Sequence, residues 1–519
     1  MGRRLKGPLC SGAYITVMFS MIFLTTISIV LSALEAVRVS AVRLQAEVAC
    51  AIACEAFLSQ YQPQVQARYG LYLVERDGYD VAFLQQFINE NCGYGQGMAA
   101  GVHWLRPTLE SVSIAQGITI SEEDFRYLED QISDFMVAAK GSDYAGQILD
   151  HLMGNDSVDV ENEKEEFTSK LDQVGGSAAA QKEAAESAAA QEGGGSEPAG
   201  EEPARVEDPR ENLTQMLRYP ILSLLMGGDV SGAAIDQGTL SDLTAPEAEV
   251  SAIGGFMEYK DITDELEDSS LDVLGMLENV GDEFLVDCYM VDFFKNAANP
   301  QKAADPTVLS YEVEYLLSGR STDAANLQNT VNRIALIRMI MNMVYLMGSG
   351  TKTAAVRAVA TALASAVLMP FLEELFYLLI LAAWAYAEAL VDCKCLLDGK
   401  KVPLMKSDGT WTLSLEQLTK IGASQLSGYA DQDGKSEGMS YEDYLRLLLL
   451  GVSKEKKYIR LMNLIEANVR LEEGCGSFSL SDCVFGISIC ADFVFYPVFF
   501  HNTLGNSRYE HHVQKAAAY

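Results

Sequence analysis

The chain has 519 residues, of which 72 are acidic and 38 are Lys or Arg, and its formal net charge is −34. Phosphate recognition needs clustered Lys and Arg, so this balance excludes nucleic acid as a main partner. It also disfavours an anionic membrane surface as a partner for the bulk of the chain. Hydrophobic residues make up 49% of the sequence, and the mean hydropathy of +0.06 requires them to be concentrated in particular segments. At this length more than one domain is expected.

An uncharged apolar segment runs from Ala13 to Leu34 and is long enough to cross the roughly 30 Å hydrocarbon layer of a bilayer. Arg3, Arg4 and Lys6 precede it with no acidic residue among them. The positive-inside rule then places residues 1–12 in the cytoplasm and the remainder outside. A cleaved signal peptide is the alternative, but its apolar region is shorter, about 7–15 residues. The sequence therefore predicts a retained transmembrane helix.

The helical pattern continues past the membrane segment with no Gly or Pro before Pro63. Apolar residues recur there at alternating steps of three and four, which indicates an amphipathic helix. We name this set the docking stripe: Leu34, Val37, Ala41, Leu44 and Val48. We expect it to pack on the protein's own sheet. The alternative is a seam with a neighbouring helix, which would need more than two heptads.

Strand patterns lie at both ends of the chain. The run from Tyr69 to Asp80 is a short strand closed by an Asp-Gly turn, and residues 112–120 alternate apolar with polar side chains. Residues 485–489 and 493–500 are also rich in strand formers, and we expect them to complete the N-terminal sheet. The fold class is α+β: an N-terminal transmembrane helix continuing into a pilin-like amphipathic helix with a small antiparallel sheet, plus a mainly α-helical C-terminal region.

Most of the negative charge lies in two segments. Residues 156–211 carry 16 acids and 5 bases in a Gly, Ala and Ser-rich context, which predicts a disordered linker. Residues 258–292 carry 12 acids and one base, but leucines interleave with the acids and indicate solvated helix faces. The loop from Asp431 to Glu442 imitates a calcium-binding EF-hand. Its Gly falls at the fourth position instead of the sixth, so no metal site is predicted there.

The C-terminal part of the chain is mainly helical. Thr322 is a good N-cap for an apolar-faced helix, and Ser440 with Asp443 forms a capping-box pattern. The apolar block at residues 358–397 is interrupted by Glu373-Glu374. A charged pair in mid-bilayer is costly, so buried core helices are favoured over a second membrane span or a re-entrant hairpin.

The sequence contains no recognisable catalytic motif. The five histidines show no zinc-ligand spacing, and the pair His511-His512 is expected to be solvated in a polar tail. The run from Gly95 to Ala100 formally matches a dinucleotide fingerprint but has no clear strand before it. Residues 348–353 resemble a phosphate loop only faintly, because they end a helix instead of beginning one. Of the ten cysteines, Cys50 and Cys54 are expected to pack as apolar residues, and the disulfide connectivity of the others is open.

Several runs of residues resemble an uncharacterised family of Gram-positive anaerobes. Members of that family are found with tight-adherence (Tad) pilus and type II secretion-like genes, and their N-termini resemble the pilin-like proteins TadE and TadG. The resemblance is carried by residues 12–17, 34–47 and 68–74, and further along by 309–338, 379–406 and 439–450. Processed pilins have Glu at the fifth position of the mature helix, where this chain has Val17. The resemblance thus implies a retained anchor of the TadG type.

We expect a single-pass membrane protein whose extracytoplasmic body is a structural or assembly component of a Tad-type pilus or secretion system. Expected partners are the lipid bilayer, through the N-terminal helix, and other membrane proteins of the apparatus; no catalysis, cofactor, metal or nucleic acid is expected. The alternative is a binding or sensory module for cations or cell-wall polymers. The expected organisation is a cytoplasmic tail (1–12), a transmembrane helix (13–34), a pilin-like helix and sheet (35–155), a linker (156–211), an acidic helical segment (212–300), a helical domain (301–475), and C-terminal strands with a tail (476–519).

Overall fold

The computed structural model describes residues 11–75, 81–94, 105–153, 221–226, 230–248, 283–302, 306–366, 372–418, 423–430, 438–499 and 508–519. The predicted linker, most of the second acidic segment, the Gly95–Ala100 run and residues 431–437 of the EF-hand-like loop lie outside these ranges. The chain divides into two compact units. The first contains residues 1–131 and 481–519, and the second contains residues 132–480.

The first unit is built on one long helix and a small antiparallel sheet. Helix α1 spans Ser11–Leu58, which is about 72 Å at 1.5 Å per residue. The sheet has four strands in the described residues: β1 (Val74–Glu75), β2 (Thr108–Thr119), β3 (Cys483–Phe495) and β4 (Tyr509–Ala518). Short helices α2 (Pro63–Tyr69) and α3 (Val81–Asn89) lie between α1 and β2 in the chain.

Strand β3 is the centre of the sheet. It pairs antiparallel with β2 along one side, from Val494 opposite Thr108 to Val484 opposite Thr119. On its other side it pairs with β1 and with β4. The C-terminal strands therefore complete the N-terminal sheet, as the sequence predicts, and the second unit is inserted in the chain between β2 and β3.

The strand predictions need two corrections. Of the predicted strand from Tyr69 to Asp80 the structure describes residues 69–75, and within these Val74–Glu75 is strand, because α2 extends to Tyr69. The predicted Asp-Gly turn lies outside the described residues. Both histidines lie in β4 instead of a tail; His512 is exposed, as expected of a solvated residue, and His511 is half-buried. Among the ten residues of this strand only Tyr509 and Val513 are strong strand formers, so its composition does not indicate a strand. Pairing with ten consecutive residues of β3 stabilises it.

Apolar contacts hold α1 against the sheet. The buried cluster combines Ala46, Cys50 and Phe57 of α1 with Ile487 and Phe493 of β3. Small residues on the helix allow close approach to the sheet. At Gly486 of β3 an added Cβ would lie 2.6 Å from the main-chain oxygen of Ala517, so only Gly fits there.

In the described residues of the second unit the regular elements are helices, joined by irregular segments and three isolated β-bridges. Its helices are the C-terminal part of α4 (Arg126–Lys140), α5 (Tyr144–Met153), α6 (Ile221–Leu225), α7 (Glu283–Phe293), α8 (Glu312–Ser318), α9 (Asp323–Gly348), α10 (Gly350–Ala366), α11 (Glu373–Leu397), α12 (Leu415–Leu418), α13 (Ala423–Ala430), α14 (Tyr441–Leu450) and α15 (Lys454–Val469). The Thr322 N-cap and the Ser440–Asp443 capping box are present as predicted.

Two helices in the described residues are long and apolar enough to cross a membrane: Tyr14–Leu58 of α1, and α11. The apolar window of α1 is unburied, whereas 83% of that of α11 is buried inside the protein. This burial fits the expected core helix. Helices α9 and α10 would form a third candidate only as a bent pair, because they meet at 93°.

Candidate functional site

In the part of the chain that the structure describes, nothing buries the N-terminal half of α1 from Tyr14 onwards. Ala13 lies in its first turns, and the large apolar side chains from Tyr14 to Leu34 are exposed with few exceptions. Exposed side chains of this kind in an unbroken helix are stable in hydrocarbon and costly in water. The segment is therefore suited to membrane anchoring.

The C-terminal half of α1 has an inner face buried on the sheet. Glu35 and Arg38 begin this face as a buried ion pair of 2.7 Å. Arg38 also donates a hydrogen bond to the main-chain oxygen of Tyr496. Val42 and the small residues that follow continue the face: Ala46, Ala49, Cys50, Ala53 and Cys54.

The docking stripe lies outside this inner face. Leu34 and Val48 are exposed, Val37 retains 68% and Leu44 62% of its accessible surface, and Ala41 is half-buried. The expectation that the stripe packs on the protein's own sheet is wrong. The sheet takes the face of small residues, which permits closer packing than the branched side chains would.

The exposed stripe continues into the membrane segment. Counting back from Leu34 in steps of four and three reaches Val30, Ile27 and Phe23, each of which is exposed. Eight positions thus follow a three-four repeat over residues 23–48, which is nearly four heptads. The sequence pattern indicates only the part beyond the membrane segment, because within an uncharged segment no single face stands out as apolar. In the described chain seven of these eight positions are exposed, and Ala41 is half-buried.

Polar side chains cross the outer face of the sheet. Asp492 of β3 accepts a hydrogen bond from Ser111 of β2 at 2.8 Å and contacts Nδ1 of His512 at 2.8 Å. These hydrogen bonds lower the pKa of Asp492, the one from His512 most. The carboxylate lies between hydroxyl and imidazole, whereas activation of a serine needs the imidazole in the middle. The arrangement links three strands and does not prepare a nucleophile.

A cluster of buried charges lies in the second unit. Arg338 of α9 contacts Asp392 of α11 at 3.0 Å, and Lys406 contacts both Asp392 and Glu388 at 2.6 and 2.5 Å. All four side chains are fully buried. Arg338 also lies 3.2 Å from the hydroxyl of Tyr444 in α14. The cluster therefore joins residues from all three C-terminal runs that carry the resemblance.

Sequence reasoning missed this cluster. Its signal was the acidic pair Glu388 and Asp392, one helical turn apart in a helix whose other charged residues, Glu373, Glu374 and Lys394, lie near its ends. That spacing places both carboxylates on one helix face. The partner Lys406 lies beyond the helix end, so proximity to it could not be deduced from periodicity.

Buried thiols occur in both units. The described cysteines are free, and all of them are buried except Cys490, which is half-buried. Burial raises the pKa of Cys50 to about 12 and that of Cys54 to about 11. Both thiols therefore stay protonated at neutral pH and pack as apolar groups, as expected. Among the residues that the structure describes, no group of three or more His, Cys, Asp or Glu is arranged to hold a metal ion.

These features define an α+β protein with an apolar N-terminal helix suited to a membrane, a four-stranded antiparallel sheet and an inserted helical unit. The chain belongs to a family of unknown function (DUF5702), whose model matches residues 199–494. The match covers much of the inserted unit and β3 up to Val494, and it begins after the N-terminal helix. Searches of the curated proteins and of the solved structures found no match.

Proposed function

We propose that this protein is a membrane-anchored, extracytoplasmic, non-catalytic component of a Tad-type pilus or secretion apparatus. In this role α1 anchors the chain, and its docking stripe packs against a helix of a neighbouring membrane protein of the apparatus. The proposal is supported by the architecture of the first unit, in which a long helix lies on a small antiparallel sheet. It is also supported by the resemblance of the N-terminal residues to TadE and TadG.

The exposed docking stripe is the observation that carries the proposal. Val37, Leu44 and Val48 are branched apolar residues on a helix whose opposite side is already occupied by the sheet. A contiguous exposed apolar strip on a protein surface marks an interaction site. Because the strip continues from the membrane segment, a partner anchored in the same bilayer can lie parallel to it along the whole repeat.

The charges around the anchor support the proposed orientation. Arg3, Arg4 and Lys6 favour a cytoplasmic N-terminus. Residues 156–211 carry a net charge of −11 and follow the anchor in the chain. In the proposed topology they face the cell exterior together with both compact units.

Charge substitution in the stripe tests the proposed function. We expect Val37→Glu and Leu44→Glu to abolish co-purification with other membrane components of the apparatus and to abolish pilus assembly. Neither side chain contributes to the buried core, so both variants should fold and insert. Ser40→Glu is the matched control, since Ser40 is exposed on the same helix but lies off the stripe. Normal assembly in the two stripe variants would refute the proposal.

A further inference from the structure

The amine of Lys406 is enclosed between two carboxyl groups. Its Nζ lies 2.5 Å from Oε1 of Glu388 and 2.6 Å from Oδ1 of Asp392, and all three side chains are inaccessible to solvent. Glu388 and Asp392 are one turn apart on α11, so the helix holds both carboxyl groups towards the same point. A structural ion pair needs one carboxylate; here a second carboxyl group contacts the same nitrogen.

We propose that Lys406 and Glu388 are joined in the folded protein by an intramolecular amide bond, with Asp392 as the base that promotes its formation. Amide formation from an amine and a carboxyl group releases water and is opposed by bulk water. The buried site removes that opposition, and it holds the reacting groups at the contact distance that intramolecular reactions exploit.

The groups around Glu388 favour attack by an amine on its carboxyl carbon. The main-chain N–H of Thr412 donates to its Oε1 at 2.8 Å, and the N–H of Leu413 donates to its Oε2 at 2.9 Å. Such fixed donors stabilise the negative charge that develops on oxygen when a nucleophile attacks a carboxyl carbon. Burial raises the pKa of Glu388, which favours the neutral acid, the form that an amine can attack.

Asp392 is the carboxylate placed to take the proton of Lys406. Arg338 Nε and Asn342 Nδ2 donate to its Oδ2 at 3.0 and 3.1 Å, which leaves Oδ1 towards Lys406. Burial acts to raise the pKa of Asp392, but the positive charges of Lys406 and Arg338 outweigh it and the pKa lies below its ordinary value, so Asp392 is ionised. The two carboxyl groups are thus driven apart in pKa, which is the arrangement that assigns acid and base roles. Burial acts to lower the pKa of Lys406, but the neighbouring carboxyl groups raise it above its ordinary value, so the proton transfer is unfavourable by itself and is driven by the attack that consumes the amine.

The steps balance in atoms and charge. Asp392 takes one proton from the Lys406 ammonium, and the resulting amine attacks Cδ of the neutral Glu388. In the tetrahedral adduct the negative charge is on Oε2, where the Leu413 N–H donates. A proton then moves from nitrogen to the Oε1 hydroxyl, the Cδ–Oε1 bond breaks, and water leaves. The products are the amide, one water molecule and one proton on Asp392.

The amide bond would link Glu388 to Lys406, which lies 18 positions further along the sequence. It links the middle of α11 to the loop that follows this helix. It also replaces two buried ionisable groups by one neutral amide. Once the proton on Asp392 has passed to solvent, Asp392 and Arg338 remain an ion pair and fewer charges stay in the dry interior.

Mass spectrometry of the full-length protein, purified from membranes in detergent, tests the proposal. We expect the digest to contain the peptide of Lys406 linked to that of Glu388, lighter than the two separate peptides by one water. Lys406→Arg retains the positive charge but cannot form the amide, and its digest should contain only unlinked peptides. Unlinked peptides of full mass in the wild-type protein would overturn the proposal, whatever the variants do.

Two further variants separate the roles of the carboxyl groups. Glu388→Gln still offers a carboxyl-derived carbon to the amine, so its linked peptide should be lighter by one ammonia. Asp392→Asn removes the base and should leave the peptides unlinked. Linkage in Asp392→Asn with loss of ammonia, and none in Glu388→Gln, would show that Lys406 bonds to residue 392 and would overturn the assignment.

Discussion

Arg38 donates a hydrogen bond from Nη2 to the main-chain oxygen of Tyr496 at 2.6 Å, across 458 positions of the sequence. Glu35 pairs with Arg38 at 2.7 Å and accepts weaker hydrogen bonds from the main-chain N–H groups of Val498 and Phe499. The two charged residues therefore fix the segment after β3 to α1, immediately beyond the expected membrane segment.

Replacing Arg38 should weaken the contact between α1 and residues 496–499. In Arg38→Met the carboxylate of Glu35 stays buried without its cation, which typically costs about 3–5 kcal/mol. We expect the main-chain amides of β3 and of residues 496–499 to exchange hydrogen faster by the corresponding factor. Hydrogen exchange read by mass spectrometry measures this change.

Two variants control the Arg38 experiment. Arg43 is exposed on the same helix, so Arg43→Met should leave the exchange unchanged. In the double variant Glu35→Gln with Arg38→Met no charge is left unpaired, and protection should largely return. Equal exchange in Arg38→Met and the wild type would contradict a stabilising role for the pair.

The sequence predicts that α1 exists and that it is apolar, but not which side faces the sheet. Leu34, Val37 and Leu44 have the stronger apolar pattern, whereas Ala46 and Ala49 have little hydrophobic surface. The distance between helix and sheet decides which face of α1 is buried, because a sheet can approach a face of alanines more closely. Side-chain periodicity contains no information on that distance.

The helical unit was predicted more fully than the sheet. Caps such as Ser440 and Thr322 are local signals, and both are confirmed. The polar strand β4 and the ion cluster at Lys406 depend on contacts between residues far apart in sequence. For such contacts a single sequence gives residue types but no partners.

Cysteine labelling tests the proposed orientation. Glu123 is exposed in the first unit, and we expect Glu123→Cys to react in intact cells with a maleimide that cannot cross the membrane. The native protein is the control, since its described cysteines are mostly buried. Labelling of the variant only after cell lysis would place the first unit in the cytoplasm and exclude the proposed topology.

Lys352 contacts groups on both sides of the bend between α9 and α10, and we expect these contacts to stabilise the bend. Its Nζ lies 5.5 Å from the ring centres of Tyr345 and Trp411 and 3.1 Å from Oδ1 of Asp408. A cation over two aromatic faces contributes about 1 kcal/mol. In Lys352→Met we expect faster hydrogen exchange at residues 345–352 and 407–411, while Lys352→Arg should retain most of the protection. An unchanged exchange pattern in Lys352→Met would show that the bend is fixed by other contacts.

Glu314 should make the helical unit more stable in acid. Its Oε1 accepts hydrogen bonds from the N–H of Ala297 and the hydroxyl of Tyr441, both at 2.8 Å, and the side chain is fully buried. Burial raises the pKa of Glu314 to about 7. The folded state therefore holds this proton more tightly than the unfolded state, whose carboxyl titrates near its ordinary value of 4.5.

A carboxyl group whose pKa is raised in the folded state makes the protein less stable as the pH rises. The stabilisation by protonated Glu314 is fully present below pH 4.5 and is lost as the pH rises through about 7, with a total of about 3 kcal/mol. Urea unfolding of the second unit, followed over this range, should give a free energy of unfolding that falls with rising pH. Glu314→Gln keeps a neutral side chain of the same shape and should lose that part of the dependence.

A second buried carboxyl group, that of Asp287, also makes stability depend on pH, but over a lower pH range than Glu314. Burial raises the pKa of Asp287 to about 6 even though Lys457 lies 2.8 Å away. Its contribution falls as the pH rises from 3.8 to about 6, so Glu314→Gln should retain the decline within that lower window and lose the part that Glu314 adds up to about pH 7. A variant with the same decline as the wild type up to pH 7 would show that Glu314 does not titrate in the folded protein as its burial predicts.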